Sequence, residues 1–174
     1  MSGHSKWSTI KHQKAIEDSK RSAVFTKIAK KIRIAVQKGA SGDIDGNPFL
    51  RACIDEARSV NMPMDNIKRA IDKALGNADG DHAEEIVYEA YGPTGVGIMI
   101  TAITDNRNRT GGEIKNVLEK HGSKLGGPGS VSYMKSIDPL PRIVLEADSL
   151  ALLEKLVGLL EEMDDVVEVW TNKQ

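Results

Sequence analysis

Between residues 76 and 81 the chain reads GNADGD, and the spacing of its apolar residues changes across that stretch. Before it, Phe25, Ile28, Ala29, Ile32, Ala35 and Val36 recur at three- and four-residue steps, as do Leu50, Cys53, Ile54 and Ala57, then Ile67, Ala70, Ile71 and Ala74. That spacing turns one face of each segment toward a core, so three helices are expected. After it, EIVYEAY (85–91) and GVGIMITAIT (95–104) are β-branched and aromatic runs joined by GPTG, which reads as two strands and a hairpin-like turn.

The punctuation refines this outline. Gly39 is expected to stop the first helix, and Asn47 with Pro48 to cap and open the second. NMPM (61–64) breaks the pattern before a third helix from Asp65 to Leu75. Further on, Thr110 and Glu113 have the capping-box spacing, predicting a helix over 111–121 that ends at Gly122. SVSYM (130–134) and PRIVLEA (141–147) read as strands, 149–163 as an amphipathic helix and DVVEVW (165–170) as a final strand, with LGGPGS (125–130) a plain flexible turn. The expected class is therefore α+β: a basic extended arm over 1–20, a three-helix bundle over 21–79, and over 80–174 a ferredoxin-like β-α-β-β-α-β domain with an extra N-terminal strand.

Composition narrows the function classes. With 40% hydrophobic and 28% charged residues, disorder throughout is excluded. Cys53 is the single cysteine, so there is no internal disulfide or cysteine-rich metal site, and it falls on an apolar helix face. His4, His12, His82 and His121 occupy different elements without ligand spacing. GPTGVG has strands on both sides, whereas a dinucleotide fingerprint needs a helix after it. No catalytic constellation, cofactor site or small-molecule substrate is expected. No apolar window approaches the length that spans a membrane, and the basic N-terminus lacks the apolar centre of a signal peptide. The reading is cytoplasmic.

Charge, by contrast, is informative. The formal net charge is −1, yet residues 1–38 carry ten Lys and Arg against two acids, while residues 80–174 carry nine against sixteen. A basic end on an acidic body points to a polyanion partner. In SKWSTIKHQK, Trp7 stands among Lys6, Lys11, His12 and Lys14, a combination that stacks an unpaired base while cations hold phosphates. Lys20, Arg21, Lys27, Lys30 and Lys31 extend the basic run. TDNRNRT (104–110) puts Arg107 and Arg109 before a helix N-terminus, where they could grip phosphate, or where Asp105 and Asn106 simply fix a turn. The pair 48–60 and 64–75 has helix-turn-helix dimensions with Lys68, Arg69 and Lys73 on its second member, but any bundle contains such pairs and ordinary core packing is the favoured reading.

Several motifs together carry a resemblance: GHSKW at 3–7, IKHQK at 10–14, NPFLRA at 47–52, NMPMDNIKRAI at 61–71, YEAYGPTGV at 88–96, TDNRNRT at 104–110, GSVSY at 129–133 and DDVVEV at 164–169. They resemble the YebC/PmpR family nearly end to end. The resemblance implies a helical N-terminal domain and two α/β domains around a cleft, without known catalysis. It also implies DNA-binding transcriptional regulation, or action on the ribosome as a translational activator. In typical members a small α/β domain follows the segment matching GSVSYM; here KSIDPL leads directly to PRIVLEA.

The expected function is a noncatalytic, nucleic-acid-binding regulator of gene expression. Lys6, Lys11, Lys14, Lys20 and Arg21 contact phosphate, Trp7 stacks, and Arg107 with Arg109 forms a second contact. The partner is DNA or ribosomal RNA, with the ribosome implied by the resemblance; the residues favour structured RNA, since nothing resembles a base-reading set for a groove. The rival is a protein-interaction adaptor acting through the acidic α/β domain.

Overall fold

The computed structural model describes residues 3–76 and 83–174, with side chains of the first helix described from Lys11 onward. Most of GNADGD, and the side chains of Lys6 and Trp7, lie outside the described residues. The chain divides into two compact units, 1–78 and 79–174.

In the first unit, α1 runs from Gly3 to Gly39, 37 residues and about 55 Å of helix. The expected extended arm is therefore helical from residue 3 onward. Its composition explains why: between Lys11 and Arg21 there is no Gly or Pro, and Lys, Gln, Ala and Glu propagate a helix cheaply once a packed turn exists. That packed part is Ile28, Ile32, Ala35 and Val36, all buried. Against them lie Leu50, Ile54 and Ala57 of α2 (Pro48–Ser59), Met62 of the connection, and Ile67 of α3 (Met64–Gly76). Each fully buried Ile or Leu contributes about 1.5–3 kcal/mol. Asn47 caps α2 as its spacing predicts, accepting from the Leu50 amide at 3.1 Å. Its Nδ2 donates to the Ala35 carbonyl at 2.9 Å and the Ser41 carbonyl at 3.0 Å, tying the end of α1 to the start of α2.

The second unit is a four-stranded antiparallel sheet with two helices sharing its core. Strand β1 (Glu84–Tyr91) pairs with β2 (Gly97–Thr104), setting Tyr88 opposite Ile100 and Ala90 opposite Ile98. Between them Thr94 and Gly95 take positive φ, 55° and 84°, to close the turn. Helix α4 (Arg107–Lys120) and helix α5 (Ala147–Glu161) place Ile114, Leu118, Leu153, Leu156 and Leu160 on Ala90, Ile98, Ile100 and Ala102. The edges are β3 (Lys124–Leu125) and β4 (Val166–Thr171), giving the order β3-β1-β2-β4.

The ferredoxin-like order is not what forms. SVSYM makes a 3-10 turn over Ser132–Ser136 instead of a strand, and PRIVLEA contributes one parallel bridge, Ile143 with Lys173. The cause of the first is Glu89. Its buried carboxylate accepts from the amides of Gly129 at 2.8 Å, Val131, and Ser132 at 2.9 Å, and from the Ser132 hydroxyl at 3.0 Å. Amides turned onto one carboxylate cannot also form a ladder. Within LGGPGS the Gly129 amide takes that carboxylate and the Gly126 amide donates to the Glu89 carbonyl at 2.7 Å, so it is a clamped segment, not a free turn. In the second, Pro139 and Pro141 lack amide donors, and the backbone bonds to the C-terminal strand region are those of Ile143, which donates to the Asn172 carbonyl and accepts from the Gln174 amide, both at 3.0 Å.

Candidate nucleic-acid interface

Along α1, every residue from Lys11 to Val24 is exposed, so this half of the helix makes no core of its own. It displays Lys11, Lys14, Lys20 and Arg21, with His12, against the acids Glu17 and Asp18. The helix spreads these cations around its surface: Lys11, Lys14 and Arg21 lie toward the side that further along carries Phe25 and Ile28, and Lys20 lies on the other. Lys27, Lys30 and Lys31 sit where the helix enters the packed region and are half-buried. Lys31 Nζ is 2.8 Å from Glu56 Oε1 on α2, so it serves the α1–α2 seam.

The TDNRNRT segment forms the corner that opens α4. Asn106, not Thr110, is the N-cap of α4, accepting from the Arg109 amide at 3.1 Å. Thr110 is fully buried inside the helix; its Oγ1 donates to Asp165 Oδ2 at 2.7 Å and lies 2.8 Å from Thr104 Oγ1. Arg109 Nη2 reaches both Asp165 Oδ2 and Asp105 Oδ1 at 2.9 Å. The bond to Asp165 first, then that to Asp105, pushes its already high pKa further up. A phosphate at Arg109 would compete with two carboxylates. Arg107 is more open, 65% exposed, with Glu84 at 3.8 Å, and its carbonyl accepts from the Tyr88 hydroxyl at 3.2 Å. The loop is thus a structural corner in which two arginines face three acids.

The structure brings the α1 cations together on one exposed helix and leaves Arg107 and Arg109 in the other unit. Sequence reasoning missed Asp165 as the partner that occupies Arg109, because 56 residues separate them. It also missed a groove of about 340 Å³ between α1 and α3, which takes in Phe25 and Ala29 from one helix and Arg69, Ala70 and Lys73 from the other. Among the described residues, no cluster of His, Cys, Asp and Glu is placed to hold a metal ion, and no helix is long and apolar enough to cross a membrane.

Comparison with known proteins agrees with this architecture. Residues 5–77 match the TACO1/YebC protein N-terminal domain, and residues 83–136 match the TACO1/YebC second and third domain. A probable transcriptional regulatory protein of Roseiflexus castenholzii is 45% identical over 99% of this chain and 71% of its own length. One from Borreliella burgdorferi (strain ZS7) is 54% identical over 77% of this chain, which spans only 55% of that relative. Among solved structures, a conserved hypothetical protein from Aquifex aeolicus superimposes with a TM-score of 0.77 at 29% identity, covering 90% of this chain and 91% of that one. With matched domains on both sides of residues 78–82 and relatives of this identity, the chain belongs to the TACO1/YebC family.

Proposed function

We propose that this protein is a noncatalytic, cytoplasmic regulator of gene expression that binds nucleic acid through α1. The observation that carries the reading is the exposed half of that helix, where Lys11, Lys14, Lys20 and Arg21 outnumber Glu17 and Asp18 with no core to serve. Cations without a packing role, on a chain whose remainder is acidic, suit a phosphate backbone. The relatives carry the name probable transcriptional regulatory protein, which supports a regulatory role. Phosphate contacts alone read no sequence, so a duplex operator and ribosomal RNA both suit this helix, and the test separates them. In TDNRNRT, Arg109 is held by Asp105 and Asp165, which leaves the more open Arg107 as the candidate for a second contact.

The test is co-sedimentation with purified ribosomes across a salt series, with duplex DNA as competitor and Lys11→Glu/Lys14→Glu alongside. Ribosome binding that falls with salt, is lost in the double variant and resists the duplex means action in translation. Salt-sensitive binding to the duplex alone means transcription. Binding to neither overturns the proposal and leaves the acidic unit as a protein-interaction adaptor.

A further inference from the structure

The groove between α1 and α3 combines two chemistries. Half-buried Phe25, Ala29 and Ala70 with buried Met62 supply apolar surface, exposed Arg69 and Lys73 supply cations, and among the described residues no acid lines it. Arg69 is held in place, its Nη2 donating to Asn66 Oδ1 at 2.9 Å. A volume of about 340 Å³ stands at the low end of the roughly 300–1,000 Å³ of ligand clefts, so it takes one planar ring system and not a peptide helix. The groove is also continuous with the basic part of α1. Lys11, Ala15, Asp18, Ser22, Phe25 and Ala29 follow at four- and three-residue steps, so they share one stripe, with Lys14 and Arg21 beside it. Asp18 is the only acid on that stripe, and Lys11 lies about 21 Å from Phe25 along the axis.

We infer that this groove is a seat for one unstacked nucleobase, with the flanking phosphates on Arg69 and Lys73 and the strand continuing along α1 toward Lys14 and Lys11. The inference rests on the nucleic-acid reading above and deepens it, since it selects an unpaired strand or loop over a duplex. A duplex offers phosphates but keeps its bases stacked, which would leave the apolar surface of Phe25 and Met62 without an occupant. An unpaired base has a π-face for Phe25 and phosphates at the spacing of its own backbone for the two cations. An acidic or apolar peptide would satisfy one half of the groove and not the other.

The test measures binding of the full chain to three probes: an RNA hairpin and a DNA hairpin of one sequence, each with a single 2-aminopurine in its unpaired loop, and the blunt duplex of the same stem. Ala29→Leu fills the groove, and Arg69→Glu/Lys73→Glu reverses its exposed cations without touching the core. The expected result is that both variants lose hairpin affinity about fivefold to a hundredfold, the range for one lost stacked base. The 2-aminopurine change seen with the parent should disappear, while duplex binding moves far less with the groove-filling variant. Whichever hairpin binds the parent more tightly identifies the strand as RNA or DNA. If Ala29→Leu shifts the urea midpoint, the charge-reversal variant decides alone. Hairpin binding that is equal in parent and variants, with the 2-aminopurine change intact, overturns the base seat and leaves the proposed function standing. A parent that binds none of the three probes overturns the base seat, and one that also fails to bind ribosomes in the co-sedimentation overturns the proposed function with it.

Discussion

Glu89 lies in the middle of β1, 7% exposed, where an ionised carboxyl ought to be costly. Burial alone would raise its pKa, but the amides of Val131, Ser132 and Gly129 and the Ser132 hydroxyl outweigh that and hold it down to about 2 from the ordinary 4.5. A carboxyl depressed in the folded state adds stability above its unfolded pKa, and that stability is lost as pH falls from about 4.5 toward 2. Glu89→Gln keeps the shape but turns an amide NH2 donor toward backbone donors, so it should cost about 1–3 kcal/mol in urea unfolding at pH 7. The gap between variant and parent should narrow at pH 3; a gap that stays constant would show that the charge is not what holds residues 129–132. Asn47 supports a second contrast. Its Oδ1 caps α2 while Nδ2 serves the Ala35 and Ser41 carbonyls. Asn47→Ala should cost about 1–2 kcal/mol, and Asn47→Asp at least as much, because the retained cap oxygen brings a charge against two carbonyls. An Asp variant as stable as the parent would mean that the Nδ2 bonds contribute nothing.

At the scale of elements, α1 is one helix with two kinds of support. Residues 25–36 are helical because their apolar side packs on α2 and α3, whereas 11–24 are helical by propagation from that packed part. The packed part was legible as 3.6-residue periodicity; the propagated part was not, since an exposed helix leaves no apolar pattern to read. The strands divide in the same way. Both strands of the β1–β2 hairpin showed in their β-branched runs, but SVSYM has a strand's alternation and still turns, because the Glu89 acceptor lies about forty residues upstream. Pairing over such distances has no local signature. The site followed suit: the cations of α1 were readable, and the groove was not, because it needs Phe25 beside Arg69. The two supports of α1 predict opposite responses. Ala15→Pro should remove much of the helicity before residue 15, by circular dichroism, while the urea midpoint barely moves, since Ala15 touches no core. Ile32→Ala, fully buried, should cost about 2–5 kcal/mol. Proline at 15 unfolding the first unit as a whole would contradict this division.

Over the whole molecule, the formal charge of −1 is a sum of two opposed parts, and only one of them suits a polyanion. Binding through α1 should therefore be steep in salt in spite of a near-neutral total, because counterion release counts phosphates neutralised locally, not net charge. Each Lys or Arg in contact with duplex phosphate contributes about 0.9 to the slope of log affinity against log salt, and about 0.7 on a single strand. Lys11→Glu/Lys14→Glu should flatten that slope by roughly two contacts, with no loss of fold, as both residues are exposed. Arg109→Ala should do the reverse. It leaves Asp165 and Asp105 without the guanidinium that bridges them, so unfolding of the second unit shifts while the salt slope stays that of the parent. The pair of variants thus tells a grip from a scaffold in one titration series. If Arg109→Ala flattens the slope and the α1 variant does not, the phosphate contact belongs to the TDNRNRT corner and the assignment to α1 is wrong.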